Sequence, residues 1–182
     1  MLNPYNPANS SNLKLFQWMD QYELSLCLSL NKYSANSLSC LFFTAISRLG
    51  NGVFWYALIL TLPLIYGQEA IETSIIMTLT GIAGVIIYKL LKNNLVRQRP
   101  CISHQCIHQG TAMLDLYSFP SGHTLHAFSF CIIAVNAYPE LGVILIPFTL
   151  LIAASRVVLG LHYPTDVAVG ALIGTLLAAI FI

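Results

Sequence analysis

Charge is what this 182-residue chain has least of. Asp, Glu, Lys and Arg together make up 8% of it, where a soluble domain carries about a quarter. With 57% hydrophobic residues and a mean hydropathy of +0.73, the composition is that of a membrane protein. Eight basic against seven acidic residues leave a net charge of +1 and no basic stripe, which excludes nucleic acid as a partner. Also lacking is a positive segment leading directly into a short apolar run, so no cleavable signal peptide is expected. Apolar runs consume most of the length, so no separate soluble domain is expected.

The runs define an all-α, multi-pass transmembrane bundle. Residues 1–12 are rich in Asn, Pro and Ser and read as a disordered or surface tail, with a single membrane domain over 13–182. Residues 13–32 mix Leu, Phe16 and Trp18 with Lys14, Asp20, Glu23 and Lys32, the pattern of an interfacial amphipathic helix. The run at 36–49 is too short to span alone. Five later runs, 52–67, 71–91, 122–138, 141–158 and 163–182, each read as a transmembrane helix, and with 36–49 they make six core helices. Pro139 and Pro164 sit where helices begin. Gly81 with Gly84, and Gly170 with Gly174, set small residues at helical spacing for close helix packing.

Basic, histidine and carboxylate residues concentrate in three short stretches: Lys92 to Pro100, Pro120 to His123, and Ser155 to Asp166. If the helix at 71–91 ends on one face of the membrane, the loop at 93–121 lies there, the next two helices cross and return, and the turn at 159–163 lies there too. All three stretches meet on one face. Together they suit a phosphate group. Lys92, Arg99 and Arg156 supply positive charge, with arginine's planar fork matched to phosphate oxygens. Pro120-Ser121-Gly122-His123 opens a helix, so free N–H groups and the positive dipole end face an anion, and Gly122 permits close backbone approach. Asp166 is four residues after His162 and can reach back to fix its tautomer, leaving an oriented histidine as nucleophile or base. No competing carboxylate is expected in such a cage.

Lys92 with Arg99-Pro100, then Pro120-Ser121-Gly122-His123, then Ser155-Arg156 with His162 and Asp166, resembles the three-part signature of the type 2 phosphatidic acid phosphatase superfamily. The spacings agree, with six residues between Lys92 and Arg99 and five between Arg156 and His162. The resemblance implies metal-independent, two-step phosphoryl transfer without a cofactor. His162 would attack phosphorus and form a phosphohistidine, with Asp166 holding its ring. His123 would protonate the departing lipid oxygen and then activate water. Lys92, Arg99 and Arg156, with the Ser121 hydroxyl and the Gly122 amide, would bind the phosphate oxygens. The order of the two histidines comes from the resemblance alone. The implied substrate is a lipid phosphate or diphosphate: undecaprenyl diphosphate, phosphatidic acid, phosphatidylglycerol phosphate or a lipid A phosphate. The alternatives are a lipid phosphotransferase of the same family and a non-enzymatic lipid-phosphate binder or transporter.

Taken singly, each residue has a plainer reading. Lys89 and Arg97 read as snorkelling or topology residues. His126, one turn beyond His123, either lines the pocket or packs between helices. Cys101, His104, Cys106 and His108 match no zinc spacing; the two cysteines suit a local disulfide if that face is oxidising, with free thiols the alternative. A count of Lys and Arg puts the site in the cytoplasm, whereas resemblance to prokaryotic members of the family puts it on the outer face of the cell membrane. We take the outer face. Membrane lipids are the other partner expected; oligomeric state is not legible.

Overall fold

The computed structural model describes residues 7–113 and 115–182, with side chains from Phe16 onward. Eight α-helices follow one another: α1 (Pro7–Asn31), α2 (Ser37–Leu49), α3 (Val53–Tyr66), α4 (Ala70–Asn94), α5 (Pro100–Ser103), α6 (Gly122–Ala137), α7 (Gly142–Val158) and α8 (Pro164–Phe181). The described residues contain no strand, only an isolated antiparallel bridge between Gln98 and Tyr117. The six core helices are those anticipated, α2, α3, α4 and α6 to α8. Pro164 opens α8 as expected, while Pro139 opens a short 3-10 turn, Pro139–Leu141, that leads into α7.

Three single helical segments are long and apolar enough to cross a membrane: Ala70–Asn94, Pro139–Val158 and Pro164–Phe181. α2 and α3 are long and apolar enough only as a pair, bent by 50° at Gly50-Asn51-Gly52, so the run at 52–67 is not a crossing by itself. Gly52 makes the break possible, since its φ of 118° would strain any other residue. α6 differs from the five equal crossings the runs suggest. Its 16 residues reach about 24 Å, short of a full crossing. It is the central helix, packed on α8, α4 and α7, so neighbouring helices rather than lipid surround it.

The outward faces are lipid-like. Ile71, Ile75, Leu79, Ile82, Ile86 and Leu90 recur every three or four residues along α4 and are all exposed. Inside, Trp55, Leu62, Met77, Phe130, Leu145 and Ile152 form the core between α3, α4, α6 and α7. The α6–α8 contact is closest, because Gly170 and Gly174 leave their positions bare. A Cβ on Gly174 would stand 2.3 Å from the carbonyl oxygen of Leu125, and one on Gly170 2.5 Å from that of Ser121. Close packing at the second glycine pair is therefore confirmed.

α1 departs from expectation. It begins at Pro7, inside the anticipated tail, whose residues 1–6 lie outside the described ones. It is not arranged with its acidic side to water, because Asp20 and Glu23 turn inward to Arg97 and Thr165. Trp18 and Tyr22 are exposed instead, and Phe16 packs on Phe119 with ring centroids 5.3 Å apart.

Candidate active site

The ends of α4, α6, α7 and α8 bring the three stretches together. Lys92 stands in the last turn of α4, Arg99 immediately precedes α5, His123 is in the first turn of α6, Arg156 in the last turn of α7, and His162 in the turn leading to α8. Lys92, Arg99, Gly122, His123, Arg156 and His162 all line one cavity of about 880 Å³. Its other end is apolar, running between α3 and α4 past Ile59, Leu60, Met77 and Ile82.

His162 is 1% exposed, and its two nitrogens differ. Nε2 is 3.2 Å from Nη1 of Arg99. A guanidinium can only donate, so Nε2 carries a lone pair and the neutral ring holds its proton on Nδ1. Nδ1 faces Oδ2 of Asp166 at 3.6 Å, close enough for electrostatic orientation but longer than a hydrogen bond, which leaves it without a partner. Burial, followed by the positive charges of Arg99, Arg156 and Lys92, pushes the His162 pKa well below its ordinary value. An unprotonated nitrogen therefore borders a cavity walled by three cations.

Asp166 is fixed from behind. Its Oδ2 accepts from the Tyr163 backbone N–H at 2.8 Å, and its Oδ1 from Nη1 of Arg97 at 2.5 Å. Arg97 is not a snorkelling residue. Its side chain is wholly buried, donates also to Asp20 (2.6 Å) and Thr165 (2.8 Å), and lies 4.0 Å from the Tyr163 ring centroid. The cause is local: after α4 the chain turns inward, and Ser118 N–H bonds the Arg97 carbonyl at 2.9 Å. Lys89, by contrast, is exposed at the cavity rim.

The break between α2 and α3 also serves the cavity. Oδ1 of Asn51 pairs with Nε2 of His123, and Ser47 with Nη1 of Arg156. Neither residue was singled out by motif, since Asn and Ser in an apolar segment carry no chemical signal alone. Nε of Arg156 is buried and unpartnered among the described residues.

One carboxylate does enter the cage, contrary to the expectation from its chemistry. Asp115 bonds Lys92 Nζ and Arg99 Nη2, each at 2.6 Å. Burial raises its pKa, but the two cations outweigh that and hold it below the ordinary carboxylate range. The reason is electrostatic: three nearly buried cations need a counter-charge, and the Gln98–Tyr117 bridge carries Asp115 back to supply one.

Two sequence expectations sit differently. The buried Ser121 hydroxyl turns away from the cavity to cap α6, 2.9 Å from the Thr124 hydroxyl. At Gly122 a Cβ would meet only the Tyr88 ring, at 3.5 Å, so no protein neighbour demands that glycine. Cys101 and Cys106 are free thiols, and no metal-binding group of His, Cys, Asp or Glu occurs among the described residues.

Comparison with known proteins gives consistent findings. The profile of the PAP2 superfamily matches residues 73–182. The undecaprenyl-diphosphatase BcrC of Bacillus subtilis is 34% identical over 128 residues, covering 70% of this chain and 63% of its own. The chain thus spans less than two thirds of that relative. The solved structure of LpxE from Aquifex aeolicus superposes with a TM-score of 0.77 at 27% identity, covering 88% of this chain and 94% of that one. A PAP2 type phosphatidylglycerolphosphate phosphatase from Bacillus subtilis shares the fold, with a TM-score of 0.69 at 22% identity over 96% of this chain and 94% of its own.

Proposed function

This chain belongs to the PAP2 superfamily, and from that premise we propose that it is an integral membrane phosphatase hydrolysing a lipid phosphate or diphosphate through a phosphohistidine. The observation that carries the reading is the His162 Nε2 lone pair at the edge of a cavity whose walls hold Lys92, Arg99 and Arg156 and whose far end is apolar. The polar end suits a phosphate and the apolar end an alkyl chain.

In the first step Nε2 of His162 attacks phosphorus and the bond from phosphorus to the lipid oxygen breaks. Protonated His123 gives its proton to that oxygen. In the second step His123 takes a proton from water, the resulting hydroxide attacks phosphorus, and the P–N bond breaks. Inorganic phosphate leaves and His162 is restored, its Nδ1 proton retained throughout beside Asp166. The three cations stabilise the equatorial oxygens, supplying the charge that a metal provides elsewhere, so the reaction needs none.

The names of its relatives support an undecaprenyl or similar diphosphate as substrate, with phosphatidylglycerol phosphate, phosphatidic acid and lipid A phosphate as the other members of the class. We place the site on the extracytoplasmic face of the cell membrane, where a product phosphate would be released outside. Phosphate release by purified wild-type protein, with and without a chelator, tests the assignment. Release that a chelator leaves intact is expected. No release from any of these lipids would overturn it.

A further inference from the structure

Beneath the cage, on the same wall, α6 carries a histidine that the two proposed steps do not use. His126 follows His123 by three residues, about 4.5 Å further along the helix axis, and lines the same cavity. Its ring stacks on Phe130, with centroids 5.6 Å apart, and meets Tyr88 edge-on at 6.1 Å. Opposite it is Gly84 of α4, where a Cβ would stand 2.8 Å from Cε1 and 3.2 Å from Nδ1. The bare glycine makes room for the ring. Nδ1 is closed off there and has no hydrogen-bond partner among the described residues. With Nδ1 closed off, Nε2 is the ring nitrogen that remains to serve the cavity His126 lines.

A polar ring unpaired in an otherwise apolar wall is unfavourable unless a ligand completes it. Its depth identifies the part of the ligand it meets. The reacting phosphorus belongs at the cage and the leaving oxygen beside His123. His126 is level with Gly84, between the cage and the apolar wall at Gly81 and Met77. In a lipid diphosphate the next atom beyond the leaving oxygen is the proximal phosphorus, which bears acceptor oxygens. In a prenyl monophosphate or phosphatidic acid it is carbon, which offers none.

We infer that His126 is a specificity-determining residue that donates Nε2–H to the proximal phosphate of a lipid diphosphate, a deepening of the phosphatase reading and dependent on it. A site that hydrogen-bonds a substrate group discriminates against analogues lacking it, because its own polar atom is then left unpaired.

The test compares farnesyl diphosphate with farnesyl phosphate, identical in chain and different in one phosphate, with phosphatidic acid as a second monophosphate. Purified wild-type, His126→Phe, His126→Gln and Gly84→Ala proteins are assayed for kcat/KM by phosphate release. His126→Phe keeps the stacking on Phe130 and is expected to lower the diphosphate value about tenfold to a hundredfold, with the monophosphates within about threefold. His126→Gln, with an amide donor at similar reach, regains most of the loss. Gly84→Ala, which displaces the ring without removing it, loses diphosphate turnover selectively. Equal losses on all three substrates, or none on the diphosphate, overturn the inference while leaving the phosphatase standing. Wild-type protein inactive on every substrate overturns the phosphatase reading and this inference with it.

Discussion

Nη1 of Arg97 lies 2.5 Å from Oδ1 of Asp166, and neither side chain is open to solvent. The pair continues outward to Asp20 on α1 and inward to the His162 ring. Asp166 can orient that ring only if its own charge is held, and Arg97 is the buried group that holds it.

Arg97→Met is therefore expected to lower kcat about tenfold to a hundredfold with little change in KM, the usual cost of losing the group behind an orienting carboxylate. Stranding Asp166 would also cost about 3–5 kcal/mol of stability. Arg97→Lys keeps the charge and restores part of both. Steady-state kinetics with thermal unfolding distinguishes these; a loss confined to KM would contradict the role.

The pH profile follows from the lowered pKa of His162. Unprotonated Nε2 is the reactive form, so the His162 contribution to kcat/KM is full above that pKa and is lost as pH drops through it, while loss of the His123 proton bounds the profile on the alkaline side. The acid limb due to His162 should lie below 6.5, the ordinary histidine value. The charged groups facing the ring are Arg99, Arg156, Lys92, Asp115 and Asp166. Lys92→Met removes one repelling cation and should move the limb upward. A limb above the ordinary value in wild-type protein would contradict the assignment.

Asp115 competes with a bound phosphate for Lys92 and Arg99. Asp115→Asn should tighten vanadate or phosphate inhibition about tenfold, equivalent to about 1.4 kcal/mol, while lowering the thermal midpoint of the unliganded protein. Inhibition constants at fixed pH measure the first effect. Weaker inhibition in the variant would mean that the carboxylate assists binding instead.

Gly174 sets the distance between α6 and α8. Gly174→Ala places a methyl against the Leu125 carbonyl and should cost about 1–3 kcal/mol, lowering the unfolding temperature in detergent. An unchanged midpoint would show that the two helices can part without penalty.

The helices were largely legible because apolar runs end where Pro139, Pro164 and charged loops interrupt them. α6 misled in one respect: an apolar run looks the same whether lipid or protein surrounds it. For α1 the same ambiguity decided the outcome, since spacing does not reveal whether Asp20 and Glu23 face water or Arg97. Lys92, Arg99, Arg156, His123, His162 and Asp166 could be named because their types and intervals form a motif. Arg97 could not, as it lies near one helix end with Lys89 and differs only through partners 77 and 69 residues away. Asp115 was hidden by the loop that folds it back, and Ser121 could be read two ways because capping and anion binding ask for the same residue.

The most direct test of the mechanism is rapid quenching of wild-type protein during turnover of substrate carrying radiolabelled terminal phosphate. The intermediate should be trapped as acid-labile, alkali-stable label on the peptide containing His162, and be absent from His162→Ala protein. Turnover that proceeds with no label on His162 would contradict the account.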